Sequence, residues 1–339
     1  MLGLRRSKWI VGASAAFLAL AAVVHAWGGL MPPPGGRSPG PFAAVGRVPP
    51  ILRLALRAAR TLRYTGTRVI EFRTSDRPKR HVEYILKDGP RSRVWFPESS
   101  PYSGQIIIEK GGTRYHYMPN TGEIQKSSAR GGDAYVRLVQ AIREGRYVAR
   151  VREDGAVAGI HTRAVSIEEP GGAVVQRLWI QPGTGMVLKR VLYDASGAGV
   201  GFFEFQSLEF NPTIKSGDFA FGAANVKYVQ LRDKIADAAR RTGLMPFSVP
   251  ANRGYDLRTV HVLRPRSPHP ILVQTYHGTQ GFVSLFQTTG PINARLLEKV
   301  AAGRYQTYTW RQNGSNFALV GDPEVAELHR IASLVGAGG

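Results

Sequence analysis

The sequence predicts an α+β protein: a long, curled antiparallel β-sheet, a half-open barrel covered by helices, followed by a smaller α+β C-terminal domain. Three observations predict it. Short apolar or alternating runs recur from Thr67 to Phe210, divided by turns rich in Gly, Asp and Pro. The gaps between most runs are too short for the helical crossovers that parallel strands require. Helical periodicity is confined to a few stretches, enough to cover one face of a sheet.

The first helix follows Pro49 and Pro50. Ile51, Leu52, Ala55, Ala59 and Leu62 form a stripe, while Arg53, Arg57, Arg60 and Arg63 lie largely on other faces. Tyr64-Thr-Gly66 is read as its end. Strands are then expected at Thr67 to Phe72, His81 to Lys87, Arg93 to Phe96, Gln105 to Glu109 and Thr113 to Met118. Asp88-Gly89 and Lys110-Gly-Gly112 supply turns between them. A short helix is predicted over Asp133 to Glu144, with Asp133 as N-cap. Strands resume at Tyr147 to Arg152, His161 to Glu168, Val174 to Gln181, Met186 to Tyr193 and Gly201 to Phe210. The alternation assigns Ile70, Phe72, Tyr84, Leu86 and Trp95 to the inner face of this sheet, together with Tyr115, Tyr117, Trp179 and Leu188. These residues are the candidate lining of an apolar cavity.

Val226 to Arg241 reads as a connecting helix and Gly243 to Tyr255 as a Pro-rich loop. The last domain has strands at Arg258 to Leu263, Ile271 to His277 and Gly281 to Gln287, and a helix at Pro291 to Ala302. A hairpin follows, Gln306 to Arg311 and Ser315 to Val320, turned at Asn313-Gly314. The final helix, Pro323 to Leu334, has Asp322 as N-cap and proline at its first position. The resulting division is 1–26, an export segment; 27–48, a Pro/Gly-rich linker; 49–222, the curled sheet; 223–256, the connection; and 257–339, the C-terminal domain.

The export segment has a basic start, Arg5, Arg6 and Lys8, then an apolar run from Trp9 to Val24, then Val24-His25-Ala26. Small residues at the two positions a signal peptidase reads predict cleavage after Ala26. An uncleaved N-terminal anchor is the alternative, although the run falls short of the roughly 20 residues that span a bilayer. No Cys follows the run, which excludes a lipoprotein anchor. The whole chain contains 0 Cys, so disulfides, thiolate metal sites and cysteine nucleophiles are excluded together. Export without disulfides fits a bacterial envelope, the periplasm or the outer face of the cytoplasmic membrane.

The formal net charge is +21. The basic residues are scattered over the strands rather than gathered in a tract, which argues against nucleic acid and leaves contact with an anionic membrane surface open. The 8 His have no H-x-H or H-x-x-x-H spacing, so no metal site is predicted. Glu153-Asp154 and Glu168-Glu169 sit beside turns as solvated carboxylates. Gly197-Ala-Gly199-Val-Gly201 leads into a strand, so no helix N-terminus waits there for a phosphate. No nucleophile elbow or Walker loop is present. The chain is read as a binding protein without cofactor, not an enzyme.

Arg177-Leu-Trp-Ile-Gln-Pro-Gly-Thr-Gly-Met-Val-Leu-Lys189, Tyr193-Asp194, Gly197, Leu208-Glu-Phe-Asn211 and Asp218-Phe219-Ala-Phe221 resemble the N-terminal domain of the MucB/RseB family, as does Tyr64-Thr-Gly66. That domain shares its fold with the lipoprotein carriers LolA and LolB. Thr309-Trp310-Arg-Gln-Asn-Gly314 through Asp322, with Glu327-Leu and Ile331-Ala-Ser333, resembles the C-terminal module of these envelope regulators. The resemblance implies an interior that accepts acyl chains of a lipid or lipoprotein, and a C-terminal domain that helps bind a membrane-anchored anti-sigma factor. No individual site residue carries over, because the motif residues serve a hairpin. Three readings stand: an envelope sensor, a lipid or lipoprotein carrier, and a structural envelope protein whose aromatic residues are simply core.

Overall fold

The computed structural model describes residues 47–337, apart from 74–77, 130–132, 195, 223–225, 251–253, 264–267, 279–280, 293–296 and 298–304. The export segment, most of the linker and most of the helix expected at Pro291 to Ala302 therefore lie outside the described residues.

Helix α1 spans Pro50–Thr61 and starts, as the tandem prolines dictate, with Pro at its first position. Leu52, Ala55 and Ala58 are its buried stripe, and Arg53, Arg57 and Arg60 are exposed. Strand β1, Arg63–Arg73, begins at once. Tyr64-Thr-Gly66 is thus the first part of a strand and not the end of a helix: the Tyr64 ring is buried edge-on against Phe205, 5.9 Å between centroids.

The large sheet continues with β2 (Pro78–Asp88), β3 (Arg91–Trp95), β4 (Ile106–Lys110), β5 (Thr113–Met118) and β6 (Glu123–Ser128). Helix α2 covers Asp133–Arg143. Then come β7 (Val148–Val157), β8 (Ile160–Glu168), β9 (Val174–Ile180), β10 (Val187–Tyr193) and β11 (Gly199–Phe210), a 3-10 turn at Ser216–Phe219, and β12 (Lys227–Gln230). The strand order is β12-β6-β5-β4-β3-β2-β1-β11-β10-β9-β8-β7, a 12-stranded sheet with β12 and β7 as its edges and no closure between them. Every pairing is antiparallel except β12 with β6, which is parallel. Register shifts at Thr67/Arg68, Val151/Asp154, Val187/Lys189 and Leu192/Tyr193 mark irregularities in the ladder, and such bulges bend strands and increase twist. That is how so long a sheet curls.

Further elements differ from the sequence expectation. The last helix starts at Val325 with Glu324 as N-cap, not at Pro323 with Asp322, whose carboxylate instead accepts from the Phe282 N–H at 2.9 Å. Strand β6 is unanticipated, because Glu-Ile-Gln-Lys-Ser-Ser contains one apolar residue, Ile124, and that residue is fully buried. Val226 to Arg241 is not one helix. Lys227–Gln230 extends the sheet beside β6, and only Asp233–Thr242 is helical, as α3, ended by Gly243 at φ 68. The Gly-free, polar sequence of this stretch has no breaker at residue 231, so helical periodicity runs on across a junction made by pairing with β6.

The second sheet has the order β14-β15-β16-β18-β17, from Tyr255–Leu263, Ile271–Gly278, Gly281–Thr288, Ser315–Gly321 and Gln306–Gln312, all antiparallel. A two-residue pair, β13 (Phe247–Ser248) with β19 (Gly336–Ala337), lies apart from it, and α4 spans Val325–Leu334. Leu257, Leu272, Tyr276, Leu285, Phe317 and Leu319 share one face of the five strands, and Ile235 and Ala239 of α3 and Leu328 and Ile331 of α4 pack on it. The Pro-rich stretch before β14 is tied to this face by buried amides: Gln274 Nε2 donates to the Phe247 carbonyl at 2.7 Å and Gln287 Nε2 to that of Met245 at 2.7 Å. The two sheets also meet. Lys234 Nζ reaches Glu123 at 2.5 Å, Arg258 donates to the Ser128 carbonyl at 2.5 Å, and Arg137 of α2 lies 3.5 Å from His277 of β15.

Candidate ligand-binding interior

Residues paired across a sheet share a face, so register sorts the large sheet into two surfaces. From β4 to β10 one surface carries Ile107, Val94, Ile85, then Gly66 and Arg68 of β1, Phe205 and Phe203 of β11, and Arg190 and Leu178 beyond them. Helices α1 and α2 cover one half of it: Leu52, Ala55, Leu138 and Ile142 pack on Val165, Ile167, Leu178 and Ile180. This is the inner face.

The other half of the inner face is different. Its apolar cluster joins Tyr64, Ile85, Val94, Phe96, Ile107 and Phe205 with Met186, Leu188 and Val157. Leu62, just past α1, and Tyr102, in the β3–β4 connection, pack against it. Among the described residues, no side chain from within α1 or α2 belongs to this cluster. Strand residues, a loop tyrosine and the β7–β8 tip, Val157 and Ile160, close it instead. Gly66 permits the closest approach: a Cβ there would lie 2.5 Å from the Ser207 carbonyl oxygen and 3.2 Å from the Phe205 ring.

Ion pairs are set into this apolar wall. Arg68 Nε donates to Glu83 Oε1, on adjacent strands and directly paired in register. The Glu83 side chain is 0% exposed, and Arg68 stacks its guanidinium 5.4 Å from the Phe203 ring and 5.9 Å from Phe205. Burial raises the Glu83 carboxyl above the usual carboxylate range against the pull of Arg68; for Arg68, burial acts downward but the Glu83 charge outweighs it and raises the guanidinium. His81 lies two residues along the same face, 5.1 Å from the Tyr102 ring and 5.9 Å from Phe96. Its Nε2 is 4.0 Å from Glu83 Oε2, and neither atom has a hydrogen-bond partner among the described residues. Further along, Arg114 reaches Glu109 at 3.4 Å, and His116 shares a 2.8 Å hydrogen bond with Gln105.

Burial, helped by Arg68, lowers the His81 imidazole to about 4, and burial, helped by Arg114, lowers His116 to about 3. Both are therefore neutral in the folded protein where the unfolded chain, near 6.5, takes up a proton. Between those values the unfolded state binds more protons, so stability rises with pH. The contribution is complete above about 6.5 and is lost as the pH falls toward 4 and then 3. Denaturant midpoints should fall over that window, and His81→Gln should flatten the part above pH 4; parallel curves for the two proteins would refute the assignment.

Of the residues expected to line the cavity, Ile70, Phe72 and Leu188 lie on the inner face, Ile70 and Phe72 in a small cluster with Leu192 and Leu188 in the main one. Tyr84, Leu86, Trp95, Tyr115 and Tyr117 fall on the opposite surface, because Tyr84 pairs Trp95, Trp95 pairs Ile106 and Ile106 pairs Tyr117, with Leu86, Ile108 and Tyr115 in the same phase. There Phe219 packs on Leu86 and Ile108, and Phe221 lies 6.2 Å from Tyr117. Trp179 is opposite Lys189, whose Nζ is 5.2 Å from its ring, yet it also packs against the main inner cluster. The nine residues therefore do not share one interior. Ile85, Val94, Phe96, Ile107, Phe203 and Phe205 were not anticipated there. In β2 the run Tyr84-Ile-Leu86 is apolar in both phases, and the flanking His81 and Glu83 gave the inner phase the look of a solvated one. Only the alternation Phe203, Phe205 in β11 signalled it.

The chain is an α+β protein: a curled antiparallel sheet with helices on its inner face, followed by a smaller sheet with helices of its own. It is similar to the MucA/MucB complex structure of Pseudomonas aeruginosa, at 15% identity, covering 85% of this chain and 98% of that chain, with a TM-score of 0.49. A crystal structure of MucB matches at 16% identity over 85% of this chain and 97% of that chain, TM-score 0.47. A LolA-superfamily protein from Nitrosomonas europaea matches at 14% identity over 50% of this chain and 96% of its own, TM-score 0.28. No protein-family model and no curated protein matches the sequence.

Proposed function

We propose that this chain is an exported, non-enzymatic sensor of the bacterial cell envelope, which takes acyl chains of a lipid or lipoprotein into its inner face and engages a membrane-bound anti-sigma-type partner. The observation that carries the reading is the helix-free half of the interior, where Phe96, Ile107, Leu188 and Phe205 form an apolar wall under a loop tyrosine and a hairpin tip. Acyl chain entering there displaces Tyr102 and Val157 and is itself buried, worth about 0.8 kcal/mol per methylene. The two buried faces and the links between the sheets give a route from ligand to partner, since α2 packs on the interior and its Arg137 sits beside His277. The partner is supported by the resemblance of the tail from Thr309 to Asp322 to the envelope regulators.

Native mass spectrometry of protein extracted from membranes tests the ligand: bound acyl lipid is expected, and its absence both there and after incubation with lipid vesicles would overturn the reading. Capture of a membrane-bound anti-sigma factor distinguishes a sensor from a carrier, which needs no such partner. Tyr102→Ala removes a ring that the incoming chain must displace. A fluorescent acyl probe is expected to bind this variant several-fold more tightly, in line with a few CH2 equivalents of displaced contact; weaker binding would make Tyr102 a ligand contact instead.

A further inference from the structure

Two polar atoms without hydrogen-bond partners among the described residues, His81 Nε2 and Glu83 Oε2, face each other at 4.0 Å inside the apolar wall. Glu83 is 0% exposed and His81 6%. A buried polar atom left without a hydrogen bond is rare in a native protein, and marks a place where a water, an ion or a ligand group belongs. The surroundings narrow the choice. Phe96 and Tyr102 stand on one side of the pair, beside His81, and Phe203 and Phe205 on the other, over Arg68. Phe96 and Phe205 belong to the apolar cluster that would hold an acyl chain, and Tyr102 and Phe203 pack against it. A chain along that cluster brings its head to His81 and Glu83.

We infer that His81 and Glu83 form a polar head site for the acyl ligand, selecting an uncharged head that donates a hydrogen bond and rejecting a free carboxylate. This rests on the acyl-binding reading. Glu83 Oε1 is occupied by Arg68, which leaves Oε2 as an acceptor that needs a donor. A hydroxyl meets both needs at once, since it donates to Oε2 and offers its own lone pairs, or a second hydroxyl, to the imidazole. A carboxylate has no hydrogen to donate to Oε2, and its charge lies against that of Glu83. The Arg68 charge is already balanced by Glu83, with which it pairs through Nε and Oε1, so the pair leaves no net counter-charge for a second carboxylate. The chemistry is that of a glycerol hydroxyl or of an amide N–H at the head of an acyl chain.

The test compares three probes of one chain length on the full chain at neutral pH: 1-monopalmitoylglycerol, methyl palmitate, which has no donor, and palmitate. Monopalmitoylglycerol is expected to bind about tenfold more tightly than methyl palmitate, the scale of one buried charge-assisted hydrogen bond, and palmitate weakest of all. Glu83→Gln removes the charge and releases Arg68, so palmitate is expected to gain at least several-fold and overtake methyl palmitate. N-palmitoylglycine methyl ester separates an amide source from a glycerol one. Equal affinities for all three probes, as when a water alone satisfies the pair, overturn the head site and leave acyl binding standing; palmitate binding best overturns it as well. No binding by any probe overturns both. The order among probes is read on the unaltered protein, so the test survives a Glu83→Gln variant that fails to fold.

Discussion

Glu83→Ala is expected to destabilise the protein by about 3–5 kcal/mol, the usual result of removing one partner from a buried ion pair. The loss is not the value of the pair itself. Arg68 remains 9% exposed between the Phe203 and Phe205 rings, and its charge keeps its desolvation cost while losing the carboxylate. The control is the double replacement Arg68→Met with Glu83→Leu. Removing both charges with side chains of similar volume should recover most of the lost stability, because a buried pair seldom outperforms packed hydrocarbon. Urea unfolding of the three proteins gives the result directly. A double variant as unstable as Glu83→Ala would mean that the pair supplies net stability, and would weaken the view that it is retained for a ligand.

Phe205→Ala is expected to cost about 3–5 kcal/mol as well, by a different mechanism. Phe205 is 2% exposed and is the meeting point of the wall: Tyr64 stands edge-on at 5.9 Å, Phe203 edge-on at 6.3 Å, and Gly66 lies beneath the ring. Truncation leaves a void that the two paired strands cannot collapse to fill, since the backbone of β1 and β11 already sets their spacing. The same void should admit apolar probes. Enhanced fluorescence of a short acyl probe, together with a lowered urea midpoint, is the expected pair of results. A loss under 1 kcal/mol would show that the ring is not part of a packed interior.

Alternation alone turns β2 the wrong way round, and the reason is local. Val82, Tyr84 and Leu86 alternate with His81, Glu83 and Lys87, so polarity assigns the first set to the inside. In the folded protein the second set is inside, because Arg68 of the next strand pairs with Glu83 and brings a charge into the interior together with its counter-charge. A buried ion pair inverts the signal on which the reading of a strand depends. The outer surface then keeps its aromatics dry in another way: Phe219 and Phe221 fold back over Leu86 and Tyr117. That return is a long-range contact, and nothing within β2 announces it.

By itself the sequence determined the class of the fold, the strands with clear alternation and turns, the helix after the tandem prolines, and the absence of any cysteine chemistry. These depend on spacing within a few residues, where period, proline and glycine act directly. Only the tertiary structure decided which side of the sheet is the interior, that β6 and β12 exist, and that the helices cover just half of the inner face. Each of these turns on a partner distant in the chain: Arg68 for Glu83, β6 for the four residues of β12, Phe205 for Gly66. The curled sheet that the sequence promised is present, but its interior is aromatic on one side and charged at its centre, a combination that only contacts between distant strands bring together.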